Sequence, residues 1–517
     1  MDRATAHRRR WQILAILCLS IIVIGLDNLI LNLALPSIQQ DLGASGRDLQ
    51  WTIDAYTLPF GGLLLLGGGL GDRYGRKRML SLGLLVFLAF SLAAAFAPDI
   101  ESLIAARAGM GVGGALIMPA TLSIIKDVFP AEEQAKAVGL WAGSSAIGIP
   151  LGPVIGGVLL DHFWWGSVFL VNVPVVVLAL VCGFLLIPES RALRGGRLDL
   201  VGAALSVATL GVLIYGIIEA PREGWGSATT LSLFAAGAAL AVAFLAWERR
   251  TAHPLIDASL FRDVSFSGGA AVVVCINFCL FSMLFVVTQY LQYVLGHDPI
   301  GAGLRLLPSC TLIVAAPIGV QLVERVGVRR TVALGMLVLA AGMGMLAAAD
   351  ASSEGLALSA LAVLGVGMGL AMPPCANAIL GATPADQAGA GSAVTDCSVQ
   401  VGGALGIAVG GSVLATSYRG SLPDLGPLPP GADGLARDSI GGATAVAGRL
   451  GGAGDRLLAA ASEAFTEALR AAMLVSAGVA LLGLLLAVAI LPRRGAVAAP
   501  GAPEETARRK AADQVSH

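Results

Sequence analysis

Long apolar runs, separated by short polar segments, make up most of the chain. A helix that crosses a bilayer needs about 20 mostly apolar residues, and fourteen runs of roughly that length occur. We therefore predict an all-α membrane protein with 14 transmembrane helices. The predicted spans are residues 11–34, 50–70, 79–97, 102–125, 137–160, 166–187, 200–219, 229–247, 265–290, 300–323, 331–349, 356–380, 390–415 and 470–491.

Two sequence echoes divide these spans into two sets. The glycines and charged residues of segment 67–78, where span 2 ends, return in segment 319–330, where span 10 ends. The Gly-Val-Gly run that starts at Gly111 returns at Gly365 in the same orientation. Repeats of this kind are typical of transporters built from two parallel halves. We predict two parallel six-helix bundles, at residues 11–188 and 264–491. An inserted pair, helices 7 and 8, is predicted between them at residues 189–263.

The Lys and Arg residues predict how the chain is oriented. With a cytoplasmic N-terminus, 24 of the 33 Lys and Arg residues lie in cytoplasmic segments and six lie in external ones. This excess obeys the positive-inside rule and favours an even number of spans, with both termini cytoplasmic. Segment 416–469 is then a long external loop, in which residues 455–470 have the apolar spacing of an amphipathic helix. Residues 492–517 are predicted to be a disordered cytoplasmic tail.

Composition agrees with a membrane protein and excludes several other classes. Of the 517 residues, 56% are hydrophobic and 13% are charged, which is about half the charged share of a soluble domain. The net charge of −1 offers no basic field for nucleic acid. The seven cysteines lie in apolar runs without a C-x-x-C pair, and no ATP-binding loop motif occurs. We expect a protein that is not an enzyme and that uses no cofactor and no metal.

Four segments together resemble the signatures of one transporter family. Residues 68–78 follow the pattern of its loop after span 2, and residues 103–115 resemble its span-4 motif, with Met110 where the family often has Gln. Residues 148–157 match its span-5 motif, and residues 26–36 resemble its span-1 motif. In this order and at these spans, they resemble the major facilitator superfamily, and more closely its fourteen-span drug:proton antiporters.

The signature after span 2 predicts a latch at the cytoplasmic ends of the helices. Charges at this position can pair with neighbouring helix ends and hold the cytoplasmic side closed, while the glycines permit a tight turn. Plain anchoring of positive charge is the alternative. The candidate latch residues are Gly68, Asp72, Arg73, Gly75 and Arg76, with Glu324 and Arg325 from the repeat.

The span-5 signature places small residues along one face of a helix. Small residues at a spacing of four permit close helix crossing. The resemblance implies that this face packs the two halves together and limits leakage, which favours export. Ordinary helix packing is the alternative. The residues of this antiporter motif are Gly148, Gly152, Pro153, Gly156 and Gly157.

Three ionisable residues within predicted spans are candidates for proton coupling. An ionised Asp at the bilayer centre costs about 2.5–3.5 kcal/mol on insertion scales, so Asp27 could carry a proton across or bind a cationic substrate. Arg107 is always charged and needs a partner, for which Asp27 or a backbone carbonyl is the candidate. Asp54 fits a second protonation site or a substrate vestibule. The alternatives are an Asp27 bonded to Asn28 or Asn32, a purely structural ion pair, and an interfacial Asp54 in contact with water.

A second group of residues is predicted to line the substrate cavity. Asp396 in span 13 is a further acid inside the membrane and could contact a cationic drug. The aromatic residues of span 9 offer an apolar wall with few polar groups, which suits lipophilic compounds. Packing against lipid or other helices is the alternative. The candidate cavity residues are Asp54, Asp396, Phe278, Phe281, Phe285 and Gln289.

Together these features predict a proton-coupled secondary active exporter of hydrophobic or amphipathic compounds that works by alternating access. Antibiotics, dyes and a self-made natural product are the expected substrates. The expected partners are a lipophilic small molecule, with a cation as one option, protons and the lipid bilayer. The protein is expected to work as a monomer in the plasma (inner) membrane of a bacterium. Two alternatives stay open, namely a proton-coupled importer of a small nutrient and a non-transporting membrane sensor.

Overall fold

All regular structure in the described part of the chain is helical. The structure is a computed structural model that describes residues 8–190, 199–251, 260–350, 352–383, 388–424, 432–450 and 454–492. The α-helices are α1 (Arg10–Leu42), α2 (Gly46–Tyr74), α3 (Arg76–Ala95), α4 (Ile100–Val128), α5 (Ala131–His162), α6 (Ser167–Leu170), α7 (Asn172–Leu186), α8 (Leu200–Glu223), α9 (Ala228–Glu248), α10 (Val264–Gln289), α11 (Pro299–Leu306), α12 (Thr311–Val326), α13 (Val328–Ala347), α14 (Glu354–Ala382), α15 (Ala388–Ser421), α16 (Ala432–Asp438), α17 (Ile440–Leu450) and α18 (Gly454–Ile490). A π-helix, Tyr290–Val294, extends α10.

The all-α membrane class is confirmed by these helices. Among the described residues, twelve helical segments are long and apolar enough to cross a membrane, one of which joins α6 and α7 and another α11 and α12. The two arms of α2, Gly46–Leu64 and Leu66–Tyr74, meet at a bend of 54° and make a thirteenth span if they cross together. The sixth predicted span falls on α6 and α7, and the tenth falls on α11 and α12. Each of the other predicted spans falls on a single helix, including the fifth, which lies on α5. The count of fourteen spans stays a prediction.

The helices fall into two sets along the chain, and the bundle has two ends. We call α1–α7 the N-half and α10–α18 the C-half, and α8 and α9 connect them along the chain. The terminal face is the end of the bundle where α1 begins and α18 ends. The opposite face is the end where α1 stops and α18 begins. In the predicted orientation, the terminal face is cytoplasmic.

The sequence repeat has a structural counterpart at two glycines. Gly75, between α2 and α3, has a φ of 118°, and Gly327, between α12 and α13, has a φ of 89°. Glycine adopts such positive φ values at little cost, whereas other residues are strained there. Each glycine therefore lets one long helix turn directly into the next.

The same repeat brings helices unusually close together in both halves. A Cβ atom added at Gly113 of α4 would lie 2.8 Å from the backbone nitrogen of Phe87 in α3. A Cβ atom added at Gly367 of α14 would lie 2.6 Å from the backbone nitrogen of Leu339 in α13. Glycine at these positions lets the helix backbones touch, as small residues do in membrane bundles.

Helix α8 packs against both halves. Its Ile214 and Ile218 form a buried apolar cluster with Leu58 of α2 and with Ala404 and Ala408 of α15. Partner helix α9 packs on α8, and much of its surface is exposed and apolar. The predicted inserted pair is therefore a helix hairpin of which one member touches both halves.

The segment predicted as a long external loop, 416–469, is largely helical where it is described. Helix α15 continues to Ser421, and α16 and α17 follow. The last span begins at Gly454 rather than at residue 470, because the amphipathic stretch predicted there continues into it without a break. The predicted tail, from residue 493 onwards, lies outside the described residues.

Candidate functional site

A buried ion pair joins α1 and α4 inside the N-half. Asp27 is 2% exposed and Arg107 is 0% exposed. Arg107 Nη1 donates a hydrogen bond to Asp27 Oδ2, and its Nε donates to the carbonyl oxygen of Thr52 at 3.0 Å. Asn172 Nδ2 donates to Asp27 Oδ1 at 3.2 Å. Arg107 thus contacts both partners named as candidates from the sequence, Asp27 and a backbone carbonyl.

Aromatic rings cover the rest of the guanidinium. The Arg107 Cζ atom lies 4.4 Å from the centre of the Tyr56 ring and 6.0 Å from that of Phe169. A cation above an aromatic face is attracted by the ring quadrupole. Arg107 Nη2 is buried and has no hydrogen-bond partner among the described residues. The guanidinium is therefore surrounded by one carboxylate, one carbonyl, two aromatic rings and, at 4.0 Å, the Met110 Sδ atom.

Close packing of α4 on α2 places Arg107 at this position. The two helices run in the same direction, and Gly111 lies against the carbonyl group of Tyr56, where a Cβ atom would collide. One turn earlier on each helix, the same approach brings Arg107 to the carbonyl oxygen of Thr52. The glycines of the span-4 motif thus allow the arginine to reach its backbone acceptor.

Asp54 of α2 is a buried acid without a partner. It is 0% exposed, and neither carboxylate oxygen has a hydrogen-bond partner among the described residues. On the same helix face, Gln50 lies against Gly411 and Gly61 lies against Gln400, so Asp54 faces α15 of the C-half. The alternative of an interfacial Asp54 in contact with water is wrong. A carboxylate in this place is costly unless a proton or a cation joins it.

The structure brings together only some of the predicted cavity residues. Phe285 and Gln289 are buried on α10 and, with Gln50 of α2, line a cavity of about 20 Å³. Phe281 is half-buried, and its ring lies over Gly403 of α15, where an added Cβ atom would be 3.2 Å away. These side chains therefore face the seam between α10, α15 and α2.

The other two predicted cavity residues lie elsewhere on the same helices. Phe278 is buried, and its backbone lies against Gly406. Asp396 is half-buried, and the next residue, Cys397, donates from its Sγ atom to the carbonyl oxygen of Gly61 at 3.4 Å. Asp396 is thus close to the α2–α15 seam, nearer the terminal face than Asp54.

One side of the antiporter motif packs on the helix that carries Asp27. A Cβ atom added at Gly152 would lie 2.9 Å from Leu29 Cβ, and one added at Gly156 would lie 3.0 Å from a side-chain carbon of Ile30. Gly148 belongs to the stretch 145–150 of α5, about whose side chains nothing is described. The motif therefore lets α5 lie directly against the part of α1 around Asp27.

The other side of the motif touches the C-half. A Cβ atom added at Gly157 would lie 2.7 Å from the Cα atom of Ile300 in α11. The carbonyl oxygen of Pro153 lies so close to Gly303 of α11 that a Cβ atom there would collide with it. Packing between the two halves, which the resemblance implied for this motif, is present near the opposite face.

The latch residues of the N-half pair within their own half. Asp72 Oδ1 accepts two hydrogen bonds from Arg76, at 3.0 and 3.1 Å, and Arg76 also donates to the carbonyl oxygen of Ser123 at 3.2 Å. Gly75 adjoins the carboxylate of Glu189, which leaves no room for a Cβ atom. These contacts tie α2, α3, α4 and the end of α7 together at the terminal face.

The remaining latch residues are less engaged. Gly68 packs on α4, and the Arg73 guanidinium lies over the ring of Tyr74. Glu324 and Arg325, from the repeat, are exposed and form no ion pair with another described residue. A role in holding the two halves together stays a prediction for these seven residues.

Known proteins are similar to this chain along most of its length. Residues 17–407 match the family described as Major Facilitator Superfamily. The multidrug efflux pump LfrA of Mycolicibacterium smegmatis is 36% identical over 484 residues, which cover 92% of this chain and 96% of that protein. The chain belongs to the major facilitator superfamily. It is a multi-pass membrane transporter and not an enzyme.

Other members of the superfamily extend the comparison. The tetracenomycin C resistance and export protein of Streptomyces glaucescens is 34% identical, covering 80% of this chain and 78% of that protein. The methyl viologen resistance protein SmvA of Salmonella typhimurium is 36% identical, covering 88% and 93%. The fold also matches a bacterial homologue of the human lysosomal transporter Spinster, with a TM-score of 0.67, 16% identity and coverage of 94% and 99%.

In this member of the superfamily, polar contacts join the halves at the opposite face. From the π-helix that extends α10, Gln292 donates to the carbonyl oxygen of Leu33 at 2.9 Å. Tyr293 OH donates to the carbonyl oxygen of Pro36 at 3.2 Å and lies 3.1 Å from Gln39 Oε1. The structure is therefore closed at this face between α1 and α10.

Helix α8 adds a second connection at the same face. Arg47 at the start of α2 pairs with Glu219 of α8 at 2.8 Å. Arg419 of α15 donates to the carbonyl oxygen of Pro221 in α8 at 3.2 Å. Helix α8 is thus bonded to α2 of the N-half and to α15 of the C-half at neighbouring positions, Glu219 and Pro221.

Acidic residues in the loops of the opposite face are held in their charged form. A hydrogen bond from the backbone N–H of Ser102 lowers the pKa of the Asp99 carboxyl. Hydrogen bonds from Ser353 and Ser352 lower the pKa of the Asp350 carboxyl to about 2. These two carboxyls are therefore ionised near neutral pH.

Sequence reasoning missed three members of the buried network. Asn172 binds Asp27, and it also donates to Ser91 Oγ at 3.3 Å. Tyr56 covers Arg107. A strongly polar residue in the otherwise apolar run of span 6 was the available signal for Asn172. Ser91 and Tyr56 are too common in membrane helices to stand out.

Proposed function

We propose that this transporter exports lipophilic small molecules, among them organic cations, in exchange for protons. The relatives named above are an efflux pump, an export protein and a resistance protein, each similar over most of its length. The observation that carries the coupling mechanism is the buried Asp27–Arg107 pair. It places a titratable acid and a fixed positive charge inside the N-half.

The pair offers a way to link proton binding to helix packing. When a proton binds Asp27, the carboxyl loses its negative charge and its ion pair with Arg107 weakens. Arg107 then keeps the carbonyl oxygen of Thr52, the surrounding rings and the more distant Met110 Sδ as partners. Because Asp27 is on α1 and Arg107 is on α4, this change alters the preferred contact between the two helices. That is the differential free energy that a conformational change needs.

Asp54 supplies the second part of the exchange. Its bare carboxylate faces α15 across the interface between the halves. A proton or a cationic substrate can neutralise it, but not both at once. Asp396 lies on the α15 side of the same seam, and Phe281, Phe285 and Gln289 offer an apolar wall from α10. The proposal is a competition between proton and drug at this seam.

We also propose that both termini are cytoplasmic, that the protein lies in the plasma membrane of a bacterium, and that it works as a monomer. The distribution of Lys and Arg supports this orientation. The excess of Ala and Gly supports the bacterial source. In this orientation the closed opposite face is external. A proton-coupled importer would have to bind proton and substrate together, which a competition at Asp54 does not allow.

The first test is efflux of a fluorescent lipophilic cation from energised cells that express the protein. We expect efflux from wild type that a protonophore abolishes, and at least a tenfold loss in Asp27→Asn. The matched control is Asp41→Asn, the same chemical change at an exposed position on the same helix. It is expected to export at the wild-type rate.

Two outcomes would contradict the proposal. Uptake of the dye against its gradient in energised wild-type cells would indicate an importer. Efflux that survives the protonophore would remove the proton from the mechanism. In reconstituted vesicles, a dye carrying one positive charge and exchanged for one proton moves no net charge. Collapse of the pH gradient then stops transport, whereas collapse of the membrane potential does not.

A further inference from the structure

One carboxylate at the opposite face holds a segment of the C-half against the N-half. Asp438 ends α16, and its Oδ1 accepts a hydrogen bond from Arg419 Nη2 of α15 at 2.8 Å. Its Oδ2 accepts from the backbone N–H of Gly46, the first residue of α2, at 3.1 Å. The same side chain therefore binds both halves, each through a different oxygen.

The neighbouring residue makes a second contact with the N-half. Gln39 Nε2, near the end of α1, donates to Ser439 Oγ at 2.8 Å. An added Cβ atom at Gly441 would collide with the amide of Gln39, so the backbone of the segment lies directly on this side chain. We call residues 432–450, which comprise α16, Ser439 and α17, the lid.

The lid is built into the C-half. Tyr418 OH of α15 donates to the carbonyl oxygen of Ala436 at 3.1 Å. Within α17 the apolar residues Ile440, Ala443, Val446 and Ala447 are buried, and α17 packs on α18. The backbone of Ala447 touches Gly454 at the start of α18. The lid therefore contacts the C-half through buried apolar side chains and backbone atoms, and these contacts are more extensive than its few polar contacts with the N-half.

Two adjoining cavities border the lid. One is lined by residues that include Phe285, Tyr418 and Phe465 and is about 20 Å³ in volume. The other is about 300 Å³ and is lined by charged residues that include Arg47, Asp48, Arg222 and Arg419. Asp438, Gly46, Gln50 and Ala415 line both. The apolar cavity lies on the side of α10, and the charged cavity lies on the side of α8.

We propose that the lid closes the exit for the substrate, that it travels with the C-half, and that its catch on the N-half is Asp438 with Gly46 and Ser439 with Gln39. This inference rests on the proposed export function. When the halves separate at the opposite face, both catch contacts break, because Gly46 and Gln39 belong to the N-half. Asp438 keeps Arg419 as a partner throughout, so its charge is never left unpaired. The freed N–H group of Gly46 lies at a helix start, where water can bind it.

A disulfide across the catch tests the lid directly. A Cβ atom added at Gly46 would lie 3.8 Å from the Cβ atom of Ser439, which is the usual separation in a disulfide. The variant Gly46→Cys/Ser439→Cys is made in a background from which the seven native cysteines are removed and which still exports the dye. We expect rapid cross-linking by a mild oxidant and at least a tenfold loss of efflux, which a reductant restores in the same sample.

The two single-cysteine variants, oxidised in the same way, are the matched controls and keep the rate of their reduced samples. Cross-linked protein that exports at its reduced rate would overturn the proposal. A pair that does not cross-link at all would overturn the position of the lid. If wild type exports no dye, the proposed function fails and a measurement without transport decides on the lid.

That measurement uses distances between spin labels at exposed positions of the opposite face. One pair joins the lid to the N-half, Leu435→Cys with Phe163→Cys, and the other joins the lid to the C-half, Leu435→Cys with Ser352→Cys. Between pH 5.5 and pH 8, with and without tetraphenylphosphonium, we expect the first distance to change population and the second to stay constant. A constant first distance, or a lid that moves relative to the C-half, would overturn the proposal.

Discussion

Asn172 donates a hydrogen bond to the one carboxylate oxygen of Asp27 that Arg107 does not use. Both oxygens of this buried acid therefore have partners, and each partner comes from a different helix, α7 or α4. One side chain thus ties three helices of the N-half together. The consequences of losing each partner can be separated by substitution.

Removing Arg107 alone should destabilise the protein strongly. In Arg107→Met, Asp27 stays buried with only Asn172 as its partner, and an uncompensated buried charge of this kind typically costs about 3–5 kcal/mol. The double variant Asp27→Asn/Arg107→Met carries neither charge and should recover most of that loss. Thermal unfolding in detergent measures the effect. A double variant as unstable as the single one would show that the charge is not the cause.

Efflux should not follow stability in this series. The double variant is expected to fold well and yet to export the dye at least tenfold more slowly than wild type, because the acid that we propose to bind the proton is gone. Recovery of both stability and proton-dependent efflux in the double variant would make the pair purely structural.

Asp54→Asn should lower efflux without the large loss of stability that is expected for Arg107→Met. No hydrogen bond is lost, since neither carboxylate oxygen has a partner among the described residues. We expect the free energy of unfolding to change by less than about 1 kcal/mol and efflux of a cationic dye to fall at least tenfold. The comparison is Asp27→Asn, which does lose partners. A large loss of stability in Asp54→Asn would reveal a partner that the substitution removed.

Much of the fold was accessible from the sequence because the bilayer imposes a simple rule. Only long apolar helices satisfy their backbone polar groups in lipid, so the spans could be read from apolar runs. The scarcity of charge inside the spans also narrowed the partners of Arg107 to Asp27 or a carbonyl. Because so few partners for Arg107 were possible, the sequence alone was enough to name the two that the structure shows.

The helices of the lid could not be predicted from the sequence, because no simple compositional rule applies to them. Residues 432–450 are rich in Ala and Gly and lie beside prolines, a composition that favours a loop. Their helices are stabilised by contacts with α15 and α18, such as that between Tyr418 and Ala436, and sequence pattern does not report such contacts. The bare carboxylate of Asp54 was missed for the same reason. Whether an acid finds a partner depends on neighbours that are distant in the chain.

The contact between α5 and α11 can be tested with two alanine substitutions. Gly303→Ala places a methyl group against the carbonyl oxygen of Pro153, so the helices must separate. We expect a loss of about 1–3 kcal/mol and a weaker closure of the opposite face, seen as faster external labelling of a cysteine at position 415. Gly143→Ala is the matched control on α5, because no atom lies within 4 Å of the added methyl group. Equal effects of the two changes would contradict this packing.

The turn between α2 and α3 offers a similar comparison. Gly75→Ala must adopt a φ of 118° and also meets the carboxylate of Glu189, so a cost of about 1–3 kcal/mol is expected. Gly71→Ala, one turn earlier in α2, has open space around the new methyl group and should be neutral or stabilising by about 0.5–1 kcal/mol. Thermal unfolding of the two variants side by side measures the difference. A neutral Gly75→Ala would show that the turn can rearrange.

The touching backbones at Gly113 and Gly367 limit how this transporter can evolve. A single methyl group at either position would collide with a neighbouring helix. Substitutions at the α3–α4 and α13–α14 contacts are therefore not available to natural selection for changing the substrate range. Adaptation is left with side chains that border a cavity, such as Phe285 and Gln289. In cells selected on a new toxic compound, the surviving substitutions would therefore trace the route that the compound takes through the protein.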